Sequence, residues 1–129
     1  MGLAAHVLDR TAPDTGEVPR PWTTMIENDI RILLDAPRVG EDAPSLGHLE
    51  EALTAGYARA MALEAEQARL QRRIAESAAK LVNHDSELTT AELKRLAQRL
   101  QSVDVDVAQL RGLLGSLRAR ASDARAAAA

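Results

Sequence analysis

The sequence predicts an all-α protein: a long antiparallel coiled-coil helical hairpin with a short N-terminal helix packed at its open end. Two observations predict it. Apolar or small residues recur at alternating steps of three and four through Leu46, Leu49, Leu53, Gly56, Ala60, Leu63, Gln67, Leu70, Ile74, Ser77 and Leu81. They recur again through Leu93, Leu96, Leu100, Val103, Val107, Leu110, Leu114, Leu117 and Ala121. That spacing keeps one stripe of a slightly under-wound helix turned toward a partner. The polar run Asn83-His84-Asp85-Ser86-Glu87 between the two registers is long enough only to reverse the chain. The second observation is composition. Phe is absent, one Trp and one Tyr are the only aromatics, and Ala, Leu, Glu and Arg dominate. Long helices have this composition, whereas a compact globular core relies on aromatic mass.

Residues 1–21 read as a flexible tail preceding a hairpin domain over 22–129. Met1 to Arg10 hold a brief apolar run cut by His6 and closed by Asp9-Arg10. Pro13, Gly16, Pro19 and Pro21 then break any periodic structure. A short amphipathic helix is expected over 23–36, with Met25, Ile26, Ile30, Leu33 and Leu34 on one side, a cap at Thr23 or Thr24, and Pro37 ending it. After a loop containing Gly40, Asp42 or Ser45 caps the first long helix, expected over about 45–82. The second is expected over about 89–125, where Thr89 and Glu92 have capping-box spacing.

Folding about Asp85 pairs positions whose numbers sum to about 170, because antiparallel neighbours lose one residue for each one gained. Gly56 and Ala60 then lie opposite Leu114 and Leu110, small against large, as interdigitating layers require. At the open end Leu46 and Leu49 face only Ala121 and Ala124. The short helix is expected to fold back onto that thin layer, near Leu113.

The chain offers little for chemistry. It has no cysteine, so no disulfide or thiolate metal site is possible. His6, His48 and His84 lack zinc-motif spacing, and His84 with Asp85 and Glu87 reads as ordinary polar loop. Asp104 and Asp106, two apart on a helix, point to different sides and read as solvated flanks. No phosphate-binding glycine loop or nucleophile motif is present, so the expectation is no enzyme, no metal and no cofactor. No stretch has the length and character of a signal peptide or membrane span, which reads as a cytoplasmic protein without membrane association.

Two surfaces stand out as candidate interaction sites. Gly56, Gly112 and Gly115 gather at one height of the hairpin with Leu113, beside a face of small residues on the first long helix that includes Ala62. Each glycine inside a helix costs about 1 kcal/mol against alanine, so their clustering suggests a docking notch. The alternatives are that the glycines are merely tolerated at exposed positions and that the alanines merely favour the helix. The other surface is a basic arm of Arg69, Arg72, Arg73, Arg95 and Arg99: residues 69–99 hold seven basic and four acidic side chains, against four and ten in 1–51. Arginines flanking a heptad seam ordinarily pair with glutamates and cover apolar surface. The overall charge of −3 and the lack of aromatic platforms on the arm also disfavour nucleic acid.

The expected function is therefore a non-catalytic coiled-coil interaction protein, an adaptor or small regulatory subunit that forms a dimer with itself or binds another helical protein. The second reading is a transcription regulator presenting the tip or the basic arm to RNA polymerase, a sigma factor or nucleic acid. Asp85 and Glu87 in the loop give a gross shape similar to the polymerase-channel factors. The globular or zinc-binding part that anchors those proteins is missing, and no family is assigned. The hairpin class with Trp-x-Gly at its turn is excluded, because Trp22 lies far from the turn.

Overall fold

A computed structural model of the chain describes residues 21–83 and 87–128, with side chains over 25–83 and 89–128. His6 and the rest of the tail before Pro21, and His84 and Asp85 of the loop, lie outside them. Three helices follow in order: α1 Pro21–Asp35, α2 Leu46–Asn83 and α3 Glu87–Ala128. The long pair forms the antiparallel hairpin and α1 packs on both of its members. No helix among the described residues is long and apolar enough to cross a membrane.

The heptad seam is the core. Leu49, Ala60, Leu63 and Leu70 of α2 are buried with Leu96, Val103, Leu110, Leu114, Leu117 and Ala121 of α3. The register follows the fold about Asp85: Gly56 lies against Leu114, and Gln67 Nε2 donates to Asp104 Oδ1 at 2.6 Å. Arg99 meets Glu66, Arg111 meets Glu64 and Arg125 meets Glu50 across the two helices.

The helix ends differ slightly from expectation, each for a local reason. α1 opens at Pro21, ahead of the threonines expected to cap it; a proline suits the first helical position because its missing N–H is unpaired there anyway. Ser45, rather than Asp42, caps α2: its Oγ accepts from the His48 backbone N–H at 3.1 Å, and its carbonyl accepts from Leu49 N–H at 3.1 Å. α3 begins at Glu87, so Thr89 is already inside the helix and not at its cap. In the connection from α1 to α2, Gly40 takes a φ of 97°, a left-handed turn that a side chain would strain.

At the open end α1 supplies the layer the hairpin lacks. Ile30 and Leu49 are each 1% exposed, and Ile26, Leu33, Leu34, Leu46 and Leu113 pack around the same core. Met25, expected on the buried stripe, is instead exposed. The close approach of α1 depends on Gly56. A Cβ there would stand 2.5 Å from Leu114 Cδ2 and 3.2 Å from Ile30 Cδ1, so a side chain would push into the layer where all three helices meet.

Candidate interaction surfaces

Docking of α1 gives the hairpin a second buried face beside the heptad seam, and this changes the role of several polar residues. Arg59 lies outside the seam stripe and reads from spacing alone as a free surface side chain. In the structure it is 5% exposed, because α1 covers the flank of α2 on which it sits. Asp106 is likewise half-buried and no solvated flank, and Asp104, although exposed, is held by Gln67. Burial raises the Asp106 carboxyl above its ordinary value, the Arg59 charge pulls it back, and Glu66 raises it further. Glu27 of α1 is raised chiefly by burial, opposed by Arg31, raised by Asp106 and lowered by Arg59. All three helices therefore contribute charge to one node around the Arg59 guanidinium. At its edge Arg99 pairs with Glu66, 2.8 Å from Nη2 to Oε2.

A second buried cation fastens the other end of α1. The last carbonyls of a helix have no partner within it, and α1 carries no basic residue in its last turn. Arg120 of α3 fills that place. Its Nη1 donates to the carbonyls of Leu33 and Leu34 at 3.1 and 2.9 Å. Its Nη2 donates to those of Ala36 and Pro37 at 2.6 and 2.7 Å. A guanidinium at a helix C-terminus also meets the negative end of the helix dipole.

These residues hold the fold, and apart from Arg99 and Gly56 the candidate surfaces lie outside them. Of the glycine notch, Gly56 is spent inside the molecule, against Leu114 and Ile30. Gly112 and Gly115 are exposed, with nothing within 4 Å of where a Cβ would stand. Leu113 is half-buried against α1 and the core, and Ala62 is exposed on the outer side of α2. The structure therefore does not gather the three glycines on one free face. It leaves a continuous outer face on α2 instead, where Glu51, Ala55, Ala58, Ala62, Ala65 and Arg69 are all exposed, opposite the seam and flanked by Met61 at 65% exposure.

On the basic arm, Arg73 reaches Glu92 at 3.5 Å and Arg99 pairs with Glu66, as flanking heptad positions do. Arg69, Arg72 and Arg95 are exposed. Among the described residues no group of three His, Asp or Glu side chains is placed to hold a metal ion.

A groove of about 370 Å³ runs between α1 and the start of α2. Ile26, Ile30 and Leu33 form one wall, Ala52 and Ala55 the other, and the exposed carboxylates of Asp29 and Glu51 border it. Spacing alone does not reveal this groove, because it exists only where α1 crosses α2. Comparison with protein-family models, curated proteins and solved structures finds no match to this chain.

Proposed function

We propose that the protein is a non-catalytic coiled-coil interaction module that works by self-association, two copies meeting antiparallel along the outer face of α2. The observation that supports this reading is the order of residues on that face. Glu51, Ala55, Ala58, Ala62, Ala65 and Arg69 follow one another at steps of four, three, four, three and four, a pattern that reads the same from either end. An antiparallel copy centred on the level of Ala60 sets Ala55 against Ala65, Ala58 against Ala62, and Glu51 against Arg69. Every contact is then made twice, as a two-fold interface requires. Alanines let two helices approach to the short end of the usual 8–10 Å interaxial range. The two terminal charge pairs favour the antiparallel register and penalise the parallel one.

Mass by light scattering tests the reading. The wild type is expected to be a dimer, and Ala62→Glu, which sets a carboxylate on the contact, a monomer that retains its helicity. Charge reversal tests the register. Glu51→Arg and Arg69→Glu should each weaken the dimer, and the two together should restore it. A monomeric wild type removes self-association and leaves a different helical protein as the partner. A dimer untouched by Ala62→Glu places the contact elsewhere.

A further inference from the structure

The groove between α1 and α2 is an apolar-walled opening at the edge of the core, and the chain itself carries a segment that fits it. We propose that the apolar run Leu3–Leu8 seats in this groove as an intramolecular strap. The groove has two hydrophobic walls, Ile26, Ile30 and Leu33 facing Ala52 and Ala55, and its volume of about 370 Å³ suits a few aliphatic side chains. In the first twenty residues apolar character is concentrated in one place, where Leu3 and Val7 stand four apart with Leu8 adjacent. Alone, that run is too short to sustain a helix in water. Against a preformed groove it has to bury only its own side chains.

Reach and tethering make this segment the occupant. The chain enters α1 at Pro21, and the groove lies alongside the same helix. The 15 residues of α1 measure about 22 Å at 1.5 Å per residue. The linker Asp9–Arg20, with Pro13, Gly16 and Pro19, spans up to roughly 37 Å at about 3.1 Å per residue. The run therefore reaches every point of the groove. A tether of this length holds it at an effective concentration on the order of millimolar, so an intrinsically weak contact is enough to keep the groove occupied. A soluble ligand for the groove has to displace the strap first.

The chain has no cysteine, so an introduced pair reports the contact directly. In the full-length protein, Ala4→Cys is combined with Asp29→Cys at the edge of the groove, and disulfide formation is followed by mass spectrometry. Two controls accompany it. One adds Leu3→Asp and Val7→Asp to the same pair, which leaves the tether unchanged. The other moves the second cysteine to the exposed neighbouring position, Asn28→Cys. Docking predicts an intramolecular disulfide to position 29 that forms about tenfold faster than in either control, in line with the local concentration that docking adds. Equal rates in all three proteins would overturn the strap, leaving only tethered diffusion. Disulfides at twice the monomer mass would also overturn it, because the occupant would then be the segment of a second copy. Glu51 and Ala55 border the groove and also belong to the proposed dimer face, so the same three proteins are also made with Ala62→Glu. A rate advantage that survives there belongs to the strap alone, and equal rates in both sets overturn the strap whatever the state of the dimer.

Discussion

Arg120 and Arg59 tie α1 to the hairpin from outside the heptad seam, and neither role is visible in the spacing. Arg120 makes four hydrogen bonds to carbonyls at and just beyond the end of α1. Arg120→Met keeps much of the aliphatic packing and removes all four of these charge-assisted bonds, with Leu33 keeping its bond from the Ala36 N–H, so it should cost about 2–3 kcal/mol in urea melts. Arg120→Lys retains the charge but has no planar fork and should recover only part of the loss. Melts identical to wild type would mean that water replaces the guanidinium. Arg59→Ala removes the cation that Glu27, Asp106 and Glu66 share, although Glu27 keeps Arg31 and Glu66 keeps Arg99, and should cost about 1–3 kcal/mol, reduced from a fully buried pair because the acids keep some solvent. The exposed Arg118 is the control, with Arg118→Ala expected within about half a kcal/mol of wild type. The acids also carry a pH signature. Glu27 and Asp106 have folded-state values raised above their ordinary ones, so the folded protein binds those protons more tightly than the unfolded chain. Each therefore lowers stability when ionised, and that cost is relieved as pH falls through its raised value. Wild type should accordingly gain stability relative to Asp106→Asn as pH drops from 7 toward 4. If wild type instead lost ground to the variant, Asp106 would be held in its charged form.

At the scale of elements, the two long helices and their register were legible, because a repeated three-four step allows one buried stripe and an antiparallel return fixes which layers meet. Gly56 against Leu114 is the clearest case. The short helix and its docking end were legible too, from the lack of large side chains opposite Leu46 and Leu49. What the sequence left hidden was the second flank that docking creates. A heptad reading assigns each residue to one stripe, and Arg59, Asp106 and Arg120 lie beside that stripe, where only a third helix buries them. The same limit misplaced Met25, since α1 turns Ile26 and Ile30 inward. The glycine cluster was misread for a related reason: height along the hairpin was legible, but Gly112 and Gly115 face solvent while Gly56 faces α1. Gly56→Leu tests this element directly. It inserts bulk where a Cβ alone would already stand 2.5 Å from Leu114 Cδ2, and should destabilise the docked α1 by about 1–3 kcal/mol through overpacking. Gly112→Ala, in open space, should stabilise by up to about 1 kcal/mol through helix propensity. Matching thermal melts for the two variants would show that α1 does not depend on close approach at Gly56.

Across the whole molecule, burial is graded. At the base three helices converge, and Ile30, Leu49, Leu63, Leu110, Leu114 and Leu117 are almost completely enclosed. Toward the turn only two helices remain. There Leu70 and Leu96 are buried, but Ile74, Leu81, Leu93 and Leu100 are only partly covered, Ser77 occupies a seam position, and Val82 is exposed. A two-helix layer hides each apolar side chain from one direction only, so each residue of the arm gains less from burial to offset its ordering entropy. The arm should therefore open locally before the base unfolds. Native-state hydrogen exchange measures this gradient. Amides around Ala60–Leu63 and Leu110–Leu117 should exchange only through global unfolding, with protection that falls as denaturant is added. Amides around Ile74–Leu81 and Leu93–Leu96 should exchange through a smaller opening that responds weakly to denaturant. The proposed dimer contact lies on α2 between Glu51 and Arg69, level with the base, so raising protein concentration should increase protection at the base and leave the arm unchanged. Uniform protection along both long helices would refute the graded core. Concentration-dependent protection confined to the arm would move the self-association contact away from the alanine face and toward the turn.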